Sequence, residues 1–462
     1  MENRTLEAPQ TLAWQKVNGI NELKMNLINE FLNVLKEIRN DKLSYLFLFF
    51  QLVFFSGLVK QFGTDEILVV NIAFTSWLCL TKKRITNRNI NLIFAALGVF
   101  ALINVIPSFM WGASPKLLLG FSGRIFLGAL IVVYFKHDFF NVFEKLVFVL
   151  AFISIPLFLI QLIHVQVFDL FRGFSNLVLS DVRLHFGSGE LSGHRYLLVF
   201  LVNSWGELRN SGFMWEPAAF GAVLAWAMLV NVFFHRFSLN PRLIVLFLAA
   251  ITTFSIGTYV YLAIFILIYL SKNFGNKNAF YFIILLILIP VSYRFEFVQN
   301  NLAMISKKIE SEQNLVKRIR MSHAPKRVSR VGGFVGNIMP IIAEPFGFGL
   351  RYDVLSEQHF LYRTPNGFMV ILRNWGISGL MIILICSCKL VDKLKILYEV
   401  NLNIVHKVLL MMIIMLPING NPFYNQPFLI AILLSGFIVS KRYNDKSHAT
   451  ENHKKQSKQH PA

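Results

Sequence analysis

The chain is a succession of apolar runs, each near the length that crosses a bilayer, parted by mostly short polar stretches. Crossing the hydrocarbon takes roughly 17–25 helical residues. Inside lipid every backbone polar group must be satisfied, so only helices or closed barrels can span. The runs fall at 43–60, 66–80, 90–110, 117–135, 146–163, 213–234, 241–255, 256–270, 279–292, 375–390, 404–418 and 426–440. They predict an all-α, polytopic transmembrane helix bundle of about twelve spans. Residues 241–270 also read as one bent hairpin, because Ser255 to Thr258 interrupt them.

Composition agrees. Of 462 residues 55% are hydrophobic and 15% charged, with 46 Phe, whereas a soluble chain carries about 25% charge. Length alone would suggest about three soluble domains, and the apolar runs overrule that. Residues 1–42 read as a cytoplasmic N-terminal tail, 43–440 as the membrane domain and 441–462 as a disordered cytoplasmic tail. The first segment is too long for the charged region of a cleaved signal, so the first run is expected to stay as an uncleaved anchor.

The net charge of +20 lies between spans and in the tails. Anionic lipid headgroups and phosphates are therefore the expected partners, and nucleic acid is not. Cys79, Cys386 and Cys388 lie in apolar stretches without a Cys-x-x-Cys spacing, which points to neither a zinc site nor a disulfide framework.

Positive charge orients the map, since cytoplasmic loops collect Lys and Arg. With the N-terminus inside, the five short inner loops hold 13 Lys/Arg and the four short outer loops hold 2. Both termini then fall in the cytoplasm. Two long segments, 164–212 and 292–366, face outward; polar segments of this length are usually functional. Val298, Leu302, Ile305 and Ile309 line one face of an expected interfacial helix, opposite Lys307 and Lys308.

Four groups of residues could carry chemistry. Lys317, Arg318, Arg320, Lys326, Arg327 and Arg330, with His323, form a run without an acid. It would either touch anionic lipid or clamp a pyrophosphate, since guanidinium binds phosphate oxygens bidentately and keeps its charge. Arg209 to Pro217 open the sixth span, with Glu216 expected about one turn inside it. There Glu216 would pair with Arg209 or act as general base or sugar acceptor. Glu344 to Gly349 lead to His359, Arg363, Asn366 and Arg373, and 366–375 reads as a short surface helix. His359 could serve as a base, and Arg373 could instead anchor the interface. Arg124, mid-span, would face the bundle interior, reaching lipid phosphates or pairing with Glu216 or Asp138. The adjacent Asp65 and Glu66 are weak support for a metal site.

Three blocks resemble the O-antigen polymerase and O-antigen ligase superfamily of bacterial cell-envelope glycosyltransferases. Arg209 to Phe220 is similar to its Arg-x-Ser-Gly-x-x-x-Glu-Pro-x-x-Phe block. Thr253 to Tyr259 is similar to a Ser-rich turn between later spans. Gly347 to Gly349, running to Asn366 and to Gly376 through Gly379, is similar to the long outer loop and the span after it. The resemblance covers roughly 43–440 and implies a metal-independent transferase, without cofactor, in the bacterial inner membrane. It would move a glycan from a polyprenyl-pyrophosphate-linked oligosaccharide to an acceptor hydroxyl on the outer side. A chain-length regulator protein would be a further partner. Arg209, Arg318, Arg320, Arg327, Arg330 and Arg363 become candidates for pyrophosphate, Arg124 and Asn366 for substrate, and Glu216 and His359 for assisting the acceptor. Ligases commonly show His-Asn where this chain has Pro365 and Asn366, which turns the resemblance toward a polymerase. A ligase acting on lipid A core and a lipid-linked oligosaccharide flippase are the alternatives.

Overall fold

The computed structural model describes residues 27–54, 65–110, 115–171, 195–202, 209–274, 342, 345–349, 367–420 and 426–437. It is mostly helical. Helix α1 (27–40) leads through a turn into α2 (Lys42–Phe54). Then come α3 (Asp65–Thr81), α4 (Asn87–Phe100), a π-helical turn (Ala101–Val105), α5 (Ile106–Met110), α6 (Pro115–Phe135) and α7 (Phe139–Ile163). The described chain continues with α8 (Pro217–Phe234), α9 (Pro241–Thr252), α10 (Ile256–Phe274), α11 (Gly367–Leu397), α12 (Ile404–Gly420) and α13 (Pro427–Ser435).

Local chemistry sets several boundaries. Thr86 accepts from the Asn89 amide at the start of α4, and Asn240 accepts from the Leu243 amide at the start of α9. These caps satisfy amides that a helix end leaves open. Pro217, Pro241 and Pro427 occupy first turns, where their missing N–H costs nothing. Lys136 at φ +54° breaks α6 from α7.

Among the described residues, four stretches are long and apolar enough to cross a membrane: Asn89–Met110, Pro115–Ile163, Pro217–Phe234 and Gly367–Leu397. Shorter apolar helices stand at 42–53, 66–81, 241–252, 256–272 and 404–418. Their burial pattern suits lipid rather than water. Val69, Val70, Phe74, Trp77 and Leu80 of α3 all point outward, an apolar face that a soluble chain rarely exposes. Helix α8 lies at the centre instead, buried from Ala219 to Phe233 between α7, α9, α10 and α12. The expected span at 279–292 and the expected interfacial helix lie outside the described residues.

The bundle has two polar ends. At one, Asn231 Nδ2 donates to Glu144 Oε1 at 2.7 Å, Arg242 Nη1 donates to Glu144 Oε2 at 2.9 Å, and Arg242 Nε donates to Glu30 Oε1 at 2.6 Å. Lys145 pairs with Glu37. The segment expected as a polar tail thus contains a helix, α1, pinned by Glu30 and Glu37 and by Phe31 stacked on Phe152. A polar composition concealed it, because its docking contacts are half ionic. A cleft of about 310 Å³ opens at this Arg242 end among Glu37, Asp41, Tyr45, Arg84, Tyr134 and Asp138.

The other end is set by Asn210, which is fully buried. The long segment 164–212 contributes there a 3-10 turn (Val165–Phe171) and an antiparallel pair, β1 (Arg195–Tyr196) with β2 (Leu201–Val202). Phe158, Phe168, Phe200 and Val202 form a small apolar cluster under them.

Candidate functional site

The Asn210 end brings together residues from all three sequence blocks. Asn210 Nδ2 lies 3.1 Å from Ser154 Oγ and 2.9 Å from Thr252 Oγ1. Its amide N–H donates to Thr252 O at 3.0 Å, and its Oδ1 accepts from the Gly212 amide at 2.9 Å. Gly212, at φ +49°, turns the chain where a Cβ would lie 2.6 Å from the Phe220 ring. The first block is thereby held on α7 and α9. Gly221, the residue after the first block, lies so close to Thr258 of the second that a Cβ would sit 1.8 Å from Thr258 Oγ1.

Glu216 is the N-cap residue of α8, extended at φ −151°, ψ 155° and partly exposed. The sequence placed it about one turn inside the span. Pro217 begins the helix one residue later, so the carboxylate stays at the helix N-terminus, where the macrodipole favours negative charge. Arg209 is half-buried, within electrostatic reach of the Tyr259 phenol. That phenol donates to Ile251 O at 3.1 Å.

The third block folds at the same end. Phe348 N–H donates to Arg373 O at 2.7 Å, Gly349 N–H to Asn374 O at 2.9 Å, and Ile377 N–H to Pro345 O at 2.8 Å. These strand-like bonds run between 345–349 and a kink in α11 at Gly376, φ +64°, ψ −161°. Residues 367–375 are helical, as the sequence indicated, but buried rather than on the surface: Arg373 is 7% and Asn374 2% exposed. Trp375 meets Phe121 of α6 edge-on at 5.3 Å. Gly349 lies against Ser108 of α5, where a Cβ would come within 2.5 Å of Ser108 Cα.

Arg124 is partly buried on α6, about one turn from Phe121. Asp138 lies beyond the far end of α6, about 21 Å away at 1.5 Å per residue, and drops out as its partner. Asp138 instead approaches His137 at 3.4 Å.

His359, Asn366, Arg363, Arg318, Arg320, Arg327 and Arg330 lie outside the described residues. Among the described residues no group of three or more His, Cys, Asp or Glu could hold a metal ion. Sequence reasoning missed Asn104 and Ser108, both fully buried. The available signal was an amide within an apolar run, where a polar group is costly.

No family model, curated protein or solved structure matches this chain.

Proposed function

We propose that this chain is a polysaccharide polymerase of the bacterial inner membrane. It transfers a growing glycan from polyprenyl pyrophosphate to the sugar hydroxyl of a lipid-linked repeat unit, on the outer side. The observation that supports the proposal is that Arg209 and Glu216, before the first turn of α8, and Arg373 and Asn374, beside the Gly376 kink of α11, fall at the end of the apolar bundle away from the Glu144–Arg242 pair. That end is the one the Lys/Arg distribution assigns to the exterior.

In the reaction the acceptor hydroxyl attacks the anomeric carbon. Its proton passes to a base, and the bond from that carbon to the pyrophosphate oxygen breaks. Glu216, at a helix N-terminus, is the proposed base, with His359 as the other candidate. Arg209 meets the charge that develops on the leaving pyrophosphate, a role that guanidinium fills without a metal ion. Arg318, Arg320, Arg327, Arg330 and Arg363 are proposed to complete the clamp, with Arg124 and Asn366 contacting substrate.

The test is complementation of a deletion strain. Arg209→Ala and Glu216→Gln should each collapse glycan chain length while protein level in the membrane holds. Wild-type chain length in both variants would overturn the site. Loss of the gene should leave lipid A core bearing one repeat. Bare core with polymer stranded on the carrier would indicate a ligase instead.

A further inference from the structure

Buried amides at the Asn210 end, Asn104, Asn374 and Gln161 among them, have polar atoms without hydrogen-bond partners, and the first two lie together. Asn104 is 0% exposed, and neither its Nδ2 nor its Oδ1 is bonded. Asn374 is 2% exposed; its Oδ1 accepts from Arg373 Nε at 3.1 Å, but its Nδ2 is unbonded. Buried polar groups are satisfied in the great majority of cases, so each exception asks for a reason.

The two amides belong to one neighbourhood. Gly349 N–H bonds the backbone carbonyl of Asn374, and the Gly349 backbone lies against Ser108, four residues after Asn104. The π turn that carries Asn104 packs on α11. Both local backbones are irregular: a π turn, often found at functional sites, and the left-handed kink at Gly376. Ordinary core packing needs neither.

Together the amides offer two donor groups and one acceptor. An anion would use only donors and would meet the Asn104 carbonyl oxygen unfavourably. A hydroxyl both gives and accepts. We infer that Asn104 and Asn374 bind the hydroxyls of the sugar next to the carrier pyrophosphate, and so select a glycosylated lipid over the bare carrier. This inference rests on the transferase reading above.

The test measures binding of two lipids to the full chain in nanodiscs. One is the lipid-linked repeat unit extracted from the deletion strain; the other is polyprenyl pyrophosphate without sugar. Asn104→Leu and Asn374→Leu, with Asn104→Ala and Asn374→Ala in case the branched side chains do not fit, should weaken binding of the glycosylated lipid at least tenfold. Affinity for the bare carrier should be unchanged, and the thermal midpoint should hold in Asn104→Leu, whose lost polar atoms had no protein partners, whereas the Asn374 variants also give up the bond from Arg373 Nε. Unchanged affinity for the glycosylated lipid would overturn the inference, as would equal weakening for both lipids. If the wild-type protein binds neither lipid, the transferase reading fails, and this inference fails with it.

Discussion

Glu144 and Arg242 form a buried ion pair at 2.9 Å that ties α7 to α9, and Arg242 extends it to Glu30 of α1. Three elements distant in sequence meet at one guanidinium. Removing one partner of such a pair leaves an uncompensated buried charge, which costs about 3–5 kcal/mol. Arg242→Met should therefore sharply lower the thermal midpoint and membrane abundance, and Glu144→Leu with Arg242→Met should cost less than Arg242→Met alone. Thermal unfolding of detergent-purified protein measures both. A double variant worse than the single would show that the charges themselves are required.

Next to this pair, His235 supplies a pH dependence. Burial lowers its pKa from the ordinary histidine range, Arg242 and Lys145 push the same way, and Glu30 opposes them. The folded chain thus resists protonation that the unfolded chain accepts near about pH 6.5. Stability from the neutral imidazole is held above that pH and lost as pH falls through it toward the lower folded value. The thermal midpoint should decline between about pH 7 and 5, and His235→Asn should flatten that decline.

At the opposite end, Gly376 permits the chain to pass under Pro345. An added Cβ would lie 2.0 Å from Pro345 O on a backbone at φ +64°. Gly376→Ala must strain or unseat the strand-like bonds that hold Phe348 and Gly349. The expected result is loss of glycan polymerisation with helical content retained, compared by chain-length analysis and circular dichroism. Wild-type chain length in Gly376→Ala would show that the 345–349 contact has no part in transfer.

The helices were legible as apolar runs, and the described helices between 42 and 435 stand where those runs fall, although among the described residues four stretches, not about twelve, are long and apolar enough to cross a membrane. Helix α1 was not. Its ends are secured by Glu30 and Glu37, which meet partners more than a hundred residues away, and no local pattern encodes that. The position of Glu216 was misread by about one turn, because apolar residues from Phe213 to Trp215 continue the run although they precede the helix. Asn104 and Asn374 were illegible as a pair, since only folding brings Gly349 between Ser108 and α11. The basic run from 317 to 330 was prominent in sequence but lies outside the described residues.

Which end faces outward is the condition on which the proposed chemistry depends. Ser238 is exposed in the turn between α8 and α9, and Phe346 is 72% exposed beside the α11 kink. They lie at opposite ends of the bundle, because α8 runs from the Asn210 end to the turn that holds Ser238. In a background with Cys79→Ala, Cys386→Ala and Cys388→Ala, Phe346→Cys should react with a membrane-impermeant maleimide in spheroplasts. Ser238→Cys should react only after the inner membrane is permeabilised. The six Lys and Arg of residues 1–42 and the 13 of the short inner loops all favour this result, since retention of positive charge in the cytoplasm sets orientation. The reverse labelling would place Arg209, Glu216 and Asn374 in the cytoplasm, away from any carrier-linked glycan on the outer leaflet.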